Sequence, residues 1–307
     1  MTGPRSHRRA ANSGQAGFII VPVLLLLLLL ASLAGSLAVY MSSSANALAL
    51  YDDRVRAAAL FVASMELVAY DQSSVARPQK KPSGSFGFRL GKANVQVVYE
   101  TEASRIDLNL APKDLIANLF QVLGAQPKDA MGYADRIIGW RTAPKNDALD
   151  GEASLYQAAG LTYSPKGRAF SSVDEIWRVL GLPPAMVERA LRFVTVYSGR
   201  SEVNVFVAPP EVIASLPGMT PARVQQFLSV RDGLARDNAS VLEQLGTADG
   251  LASTQAGDVM RLRATVTFDN GRTAAAEIVI RLDGTDEPYQ VVNWRDLDET
   301  ASNGGRR

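Results

Sequence analysis

Cysteine is absent from this 307-residue chain, and histidine occurs once, as His7. Without cysteine there are no disulfides, no thiolate chemistry and no cysteine-ligated zinc, so packing alone must hold an exported domain of this sequence. A lone histidine near the N-terminus removes His-dependent triads and histidine metal sites from the rest of the chain. Net charge is nearly absent too: 32 basic against 31 acidic side chains leave +1, with no global field to gather nucleic acid or anionic lipid. Composition leaves a carboxylate pair or a Ser–Lys dyad open, but neither Ser-x-x-Lys nor Gly-x-Ser-x-Gly stands in a suitable context, and an enzyme is not the expectation.

Charge is missing altogether from Phe18 to Met41, FIIVPVLLLLLLLASLAGSLAVYM. As a helix this stretch reaches roughly 36 Å, against about 30 Å of bilayer hydrocarbon, and so is long enough to span a membrane. A secretory signal peptide has a shorter apolar region and a small-residue cleavage site after it, which this stretch lacks. A plain signal anchor remains open. So does a type IV prepilin leader cut between Gly17 and Phe18, because the peptide ahead is short, basic and ends in Gly17. Arg5, Arg8 and Arg9, with no acid before Asp52, are expected to hold the N-terminus in the cytoplasm and send the rest outward. Pilin-like chains usually carry Glu at the fifth position after the cut; here that position is Pro22.

The apolar pattern continues past Met41. Leu48, Tyr51, Val55, Ala58, Val62, Met65 and Ala69 recur at spacings of three and four, which predicts an amphipathic helix resting that stripe on a soluble domain. Serine is only mildly unfavourable in helices, so Ser42–Ser44 are expected to be crossed without a break, the alternative being a linker there. After the turn-rich RPQKKPSG at 77–84, β-type runs Phe86–Leu90 and Asn94–Tyr99 flank Gly91-Lys92, a hairpin pattern. Val259–Phe268 and Ala275–Leu282 flank a second turn containing Asn270-Gly271, a strong hairpin signal. Tyr289–Trp294 adds a last short strand. Strands at both ends with helix-patterned residues between them predict one sheet built from both ends and laid on the N-terminal helix, with a helical block inserted.

That block repeats itself. Asp107–Leu119, DLNLAPKDLIANL, aligns without gaps on Asn204–Leu216, NVFVAPPEVIASL, and each copy leads to a second helix ending in arginine, Arg141 or Arg231. Two small helical modules are implied, with helix starts at the matched Ala-Pro steps. Between them Ser172-Val173-Asp174-Glu175 reads as a capping box. Leu216–Arg223, LPGMTPAR, resembles the hairpin of helix-hairpin-helix DNA-binding domains, with Thr220 where a second phosphate-facing glycine is expected. Around it Arg223, Arg231 and Arg236 are outnumbered by five acids, the wrong balance for a DNA site. Trp140, Trp177 and Trp294 are expected in the core.

Taken in order, Gly17-Phe18, Ile106–Asn109, Ile137–Arg141, Phe170–Ile176, Asn204–Gly218 and the closing YQVVNWR at 289–295 resemble type II secretion system protein K, a minor pseudopilin family, over nearly the whole chain. The resemblance implies an α+β fold: an N-terminal transmembrane and amphipathic helix on a small antiparallel, pilin-like sheet, with an inserted all-α domain of two SAM-like, helix-hairpin-helix-like modules. It divides the chain into a leader (1–17), transmembrane helix (18–41), pilin-like part (42–105), two helical modules (106–200 and 201–247), returning strands (258–295) and a disordered tail (296–307). It further implies a single-pass protein of the bacterial inner membrane with a periplasmic C-terminal domain and no enzymatic activity. Expected partners are prepilin peptidase and the other minor pseudopilins of a complex at the pseudopilus tip, and not nucleic acid. A tip subunit has no subunit ahead whose terminal amine needs a carboxylate, which makes Pro22 permissible. The contrasting reading is a membrane-anchored DNA-binding protein of the competence type, carried by Leu216–Arg223. No cofactor is required by the resemblance; calcium is associated with the loop after the Trp-Arg segment, where Asp147, Asp150 and Glu152 offer oxygens and Lys145 opposes them.

Overall fold

The first helix, α1 (Ala16–Ser73), runs through Ser42–Ser44 without interruption and holds Pro22 inside it. The computed structural model describes residues 16–74, 80–144, 151–234, 241, 245, 250–282 and 287–297. The leader before Ala16 and the expected tail from 298 lie outside them. Two units divide the chain at Ala58.

In the first unit, α1 exposes its apolar residues on all sides, from Ile20 and the leucines 24–30 to Met41. It belongs to the one helix among the described residues long and apolar enough to cross a membrane.

In the second unit, the end of α1 buries Leu60, Phe61, Ser64, Met65, Val68, Ala69 and Gln72, a stripe at spacings of three and four. This corrects the expected stripe: Leu48, Tyr51, Val55, Ala58 and Val62 are exposed, and only Met65 and Ala69 are buried. Apolar residues occupy more than one face of this helix, and periodicity alone cannot choose among them.

Five strands make the main sheet: β1 (Ser83–Leu90), β2 (Ala93–Thr101), β7 (Val259–Phe268), β8 (Thr273–Arg281) and β9 (Gln290–Leu297). They lie side by side in that order and are antiparallel throughout. The first hairpin turns at Gly91-Lys92, as expected, and Gly271 takes a positive φ of 82° in the second. The last strand is longer than expected and takes in Asp296 and Leu297, two residues expected in the tail.

Because side chains alternate across a strand, the register creates cross-strand rows. Gly84, Tyr99, Leu262, Ile278 and Trp294 form one row across all five strands. This row faces α1: the Trp294 ring meets Phe61 edge-on at 5.8 Å, and the Tyr99 hydroxyl donates to Asp71 at 2.7 Å. Gly84 is small for a reason, since a Cβ there would lie 2.5 Å from the Tyr99 ring. The opposite face carries the rows Ser83, Glu100, Arg261, Val279, Asn293 and Ser85, Val98, Arg263, Glu277, Arg295.

Everything between β2 and β7 is the helical insert. It contains β3 (Ile106–Asp107), α2 (Lys113–Val122), α3 (Pro127–Arg141), α4 (Glu152–Ala158), α5 (Pro184–Ala190), β4 (Val194–Thr195), β5 (Val203–Asn204), α6 (Pro210–Ala214), α7 (Pro221–Val230) and β6 (Ala252–Ser253). One hydrophobic core runs through both halves, from Ile106 and Phe120 to Ile213 and Phe227.

Candidate functional site

The sequence repeat survives as a repeat of hydrogen bonds. Asp107 and Asn204 each turn a side-chain oxygen onto the amide two residues on, Asn109 at 2.8 Å and Phe206 at 3.1 Å. Each backbone carbonyl then accepts from the alanine four residues on, Ala111 or Ala208. The short strands match too, β3 pairing in parallel with β4 and β5 with β6. At the far end of each module an arginine returns to the start: Arg141 donates to Leu108 O and, at 2.8 Å, to Ala111 O, while Arg231 donates to Ala208 O at 2.8 Å. Pro112 and Pro209 take the N-cap position, one residue ahead of the first turn where they were expected.

The Leu216–Arg223 hairpin is closed on itself. Thr220 caps α7, its hydroxyl accepting from the Arg223 amide at 3.3 Å, and the Arg223 guanidinium donates to Gly218 O. An amide that a phosphate would need is therefore already used, and nothing here supports DNA binding.

Insert and sheet are tied at Glu102, in the 3-10 turn that follows β2. Its carboxylate is 0% exposed. Arg261 of β7 reaches it in a fork, Nε to Oε2 at 2.9 Å and Nη2 to Oε1 at 2.5 Å, and Thr195 of β4 donates its hydroxyl at 2.5 Å. Arg261 also donates to Glu277 of β8 at 2.5 Å. Arg105 stands 3.7 Å from Glu102 and 3.2 Å from Glu100. Burial by itself pushes the Glu102 carboxyl up, but the hydrogen bonds and charge of Arg261, with Arg105 and Thr195, outweigh it and hold the group below the usual carboxylate range. The geometry is a clamp: one buried anion joins the strand before the insert, the strand after it and a strand within it. No sequence motif announces it, because its members are scattered from 102 to 277.

Gly17 and Phe18 lie in the first turn of α1, Pro22 inside it, and Met41 is exposed on it. The capping-box segment forms a 3-10 turn, Val173–Arg178, rather than an α-helix. Ser172 caps the Asp174 amide, while Glu175 accepts from Ser171 N, from Trp140 Nε1 and from Lys166. Trp140 is buried and stacks on Phe170, as expected. Trp177 and Trp294 are corrections, at 44% and 38% exposed: the first sits on a short turn, the second on an edge strand.

Of the calcium residues, Asp147 and Asp150 lie outside the described residues. Glu152 begins α4 and is held by Arg136 at 2.8 Å. One oxygen of Glu152 is buried without a hydrogen bond, and burial pushes the carboxyl up. No group of three His, Cys, Asp or Glu that could hold a metal occurs among the described residues.

An apolar helix that continues into a segment packed on an antiparallel sheet is a pilin-like architecture. Residues 91–199 match the family model for type II secretion system (T2SS), protein K. The fold is shared with a chain in the crystal structure of the GspK-GspI-GspJ complex from the enterotoxigenic Escherichia coli Type 2 Secretion System. That chain is 16% identical, with a TM-score of 0.55 covering 80% of this chain and 98% of the other. No curated protein sequence matches this chain.

Proposed function

We propose that this chain is a minor pseudopilin of the type II secretion system, caps the pseudopilus tip and helps to start its assembly. The observation that carries this reading is the protein K match over residues 91–199, the segment that builds most of the insert and enters it from the sheet. The described architecture fits the role mechanically. A helix apolar enough for a membrane gives an anchor, the sheet gives a pilin-like head, and an insert tied on by the Glu102 clamp makes that head bulkier than sheet and helix alone. A bulky head suits the last position of a filament.

The structural relative is one chain of a three-protein complex, GspK-GspI-GspJ, which supports other minor pseudopilins as partners here. We further propose a single-pass, inner-membrane protein with its C-terminal domain in the periplasm, cleaved between Gly17 and Phe18 by prepilin peptidase, and with a structural rather than enzymatic task. The test is export in cells lacking this gene. Type II substrates should accumulate in the periplasm and return to the medium on complementation; unimpaired export would overturn the reading.

A further inference from the structure

Two adjoining clefts on the outer face of the sheet form one basic trough. The first, about 400 Å³, lies between the insert and strands β7–β9, and the second, about 570 Å³, continues over β1 and β2. They share Arg105, Arg261, Arg263 and Glu277. Their floor is the pair of outer-face rows, which cross all five strands. At about 4.8 Å per strand the floor is roughly 19 Å long.

The charges are not equally committed. Arg261 is consumed by Glu102 and Glu277, and Arg105 by Glu100 and Glu102. Three other arginines are available. Among the described residues Arg192 is exposed and has no ion pair, and Arg263, 61% exposed, has one ion pair, to a Glu277 that Arg261 holds more closely. Arg295 faces Asp174 at 3.8 Å with both side chains in solvent, a pair of little worth. Among the described residues Asp174, on the wall of the first cleft, pairs with Arg295 alone, and one Arg105 nitrogen, Nη1, is buried with no hydrogen bond. Ser172, Tyr197 and Asn293 add polar groups to the lining.

We propose that this trough binds an extended, acidic segment of another polypeptide, whose carboxylates pair with Arg192, Arg263 and Arg295. Length favours a chain over a single anion, since about six extended residues fill 19 Å. Exposed Val98, on β2 and paired across the ladder with Arg263, offers an apolar contact beside the charges. Nucleic acid is the poorer fit, because Tyr197 and Tyr99 are the only aromatic side chains along the two clefts among the described residues, Tyr99 with its hydroxyl bonded to Asp71, and single strands need stacking platforms. This site is independent of the tip assignment.

The test uses the full chain in detergent and fluorescence anisotropy with a labelled octapeptide of alternating Glu and Ser, against the Gln-Ser counterpart. The Glu peptide should bind about tenfold more tightly and weaken as salt rises. R192Q/R263Q should lower its affinity several-fold and D174N should raise it, with melting temperatures unchanged, since these side chains are at the surface. Equal binding of the two peptides, or unchanged affinity in R192Q/R263Q, overturns the proposal. So does displacement of the peptide by inorganic phosphate or oligothymidine more readily than by unlabelled peptide.

Discussion

Glu102 and Arg261 stand 159 positions apart in sequence and meet through two parallel hydrogen bonds, Nε to Oε2 at 2.9 Å and Nη2 to Oε1 at 2.5 Å. The carboxylate lies at the start of the insert and the guanidinium on the strand that follows it. Glu102→Gln leaves Arg261 and Arg105 without their buried anion, and removing one partner of such a pair costs about 3–5 kcal/mol. Thermal unfolding of the full chain should show a markedly lower midpoint.

The same pair gives a pH dependence. The folded-state pKa of Glu102 is held below its ordinary value, so its stabilising contribution is present above that ordinary value and is lost as pH falls through the folded one. Melting temperature should fall on acidification into and below the ordinary carboxylate range. In Glu102→Gln this component of the fall should be missing, while acid sensitivity from other carboxylates remains.

Whether a feature is legible in the sequence depends on how far apart its cooperating residues are. The Asp107 and Asn204 turns can be read from a gapless repeat, because the bonds that close each turn, to Asn109 and Ala111 in one and to Phe206 and Ala208 in the other, lie within a few residues. The hairpins are legible from Gly91-Lys92 and Asn270-Gly271 for the same reason. The Glu102 clamp is not, since nothing local distinguishes a glutamate that will meet Thr195, Arg261 and, through Arg261, Glu277. The buried stripe of α1 differs from the expected one because Leu48, Tyr51 and Val55 are as apolar and as regularly spaced as Leu60, Met65 and Val68. Size alone puts Trp294 in the core, but on an edge strand it covers Phe61 on one side only.

The paired module locks are predicted to be unequal. Arg141→Lys replaces a fork that serves two carbonyls by a single ammonium, whereas Arg231 serves one. A hydrogen bond from a charged group is worth about 1.5–3 kcal/mol. Arg141→Lys should therefore lower the melting temperature more than Arg231→Lys, and equal effects would show that the two locks do not differ in this way.

Pro22 separates tip from shaft. A subunit with none ahead gains nothing from a carboxylate at that position, and a charge there in lipid costs roughly 2.5–3.5 kcal/mol. Pro22→Glu should leave export unchanged or reduced, with Pro22→Ala reporting the effect of the proline alone. A clear gain with Glu and none with Ala would contradict the tip position.

Processing has its own readout. Intact mass of the chain extracted from membranes should begin at Phe18, and Gly17 replaced by a bulky residue should leave an inserted but uncut chain, because the apolar length is unchanged. A mature chain that begins at Met1 in cells with the peptidase would rule out the leader.

The most direct measurement is co-purification of the tagged, full-length chain with the other minor pseudopilins of its own secretion system, extracted from membranes in mild detergent. A tip subunit should bring them down as a stable complex that excludes bulk major pseudopilin. Recovery of the chain alone, or together with major pseudopilin in place of the minor ones, would contradict the assignment.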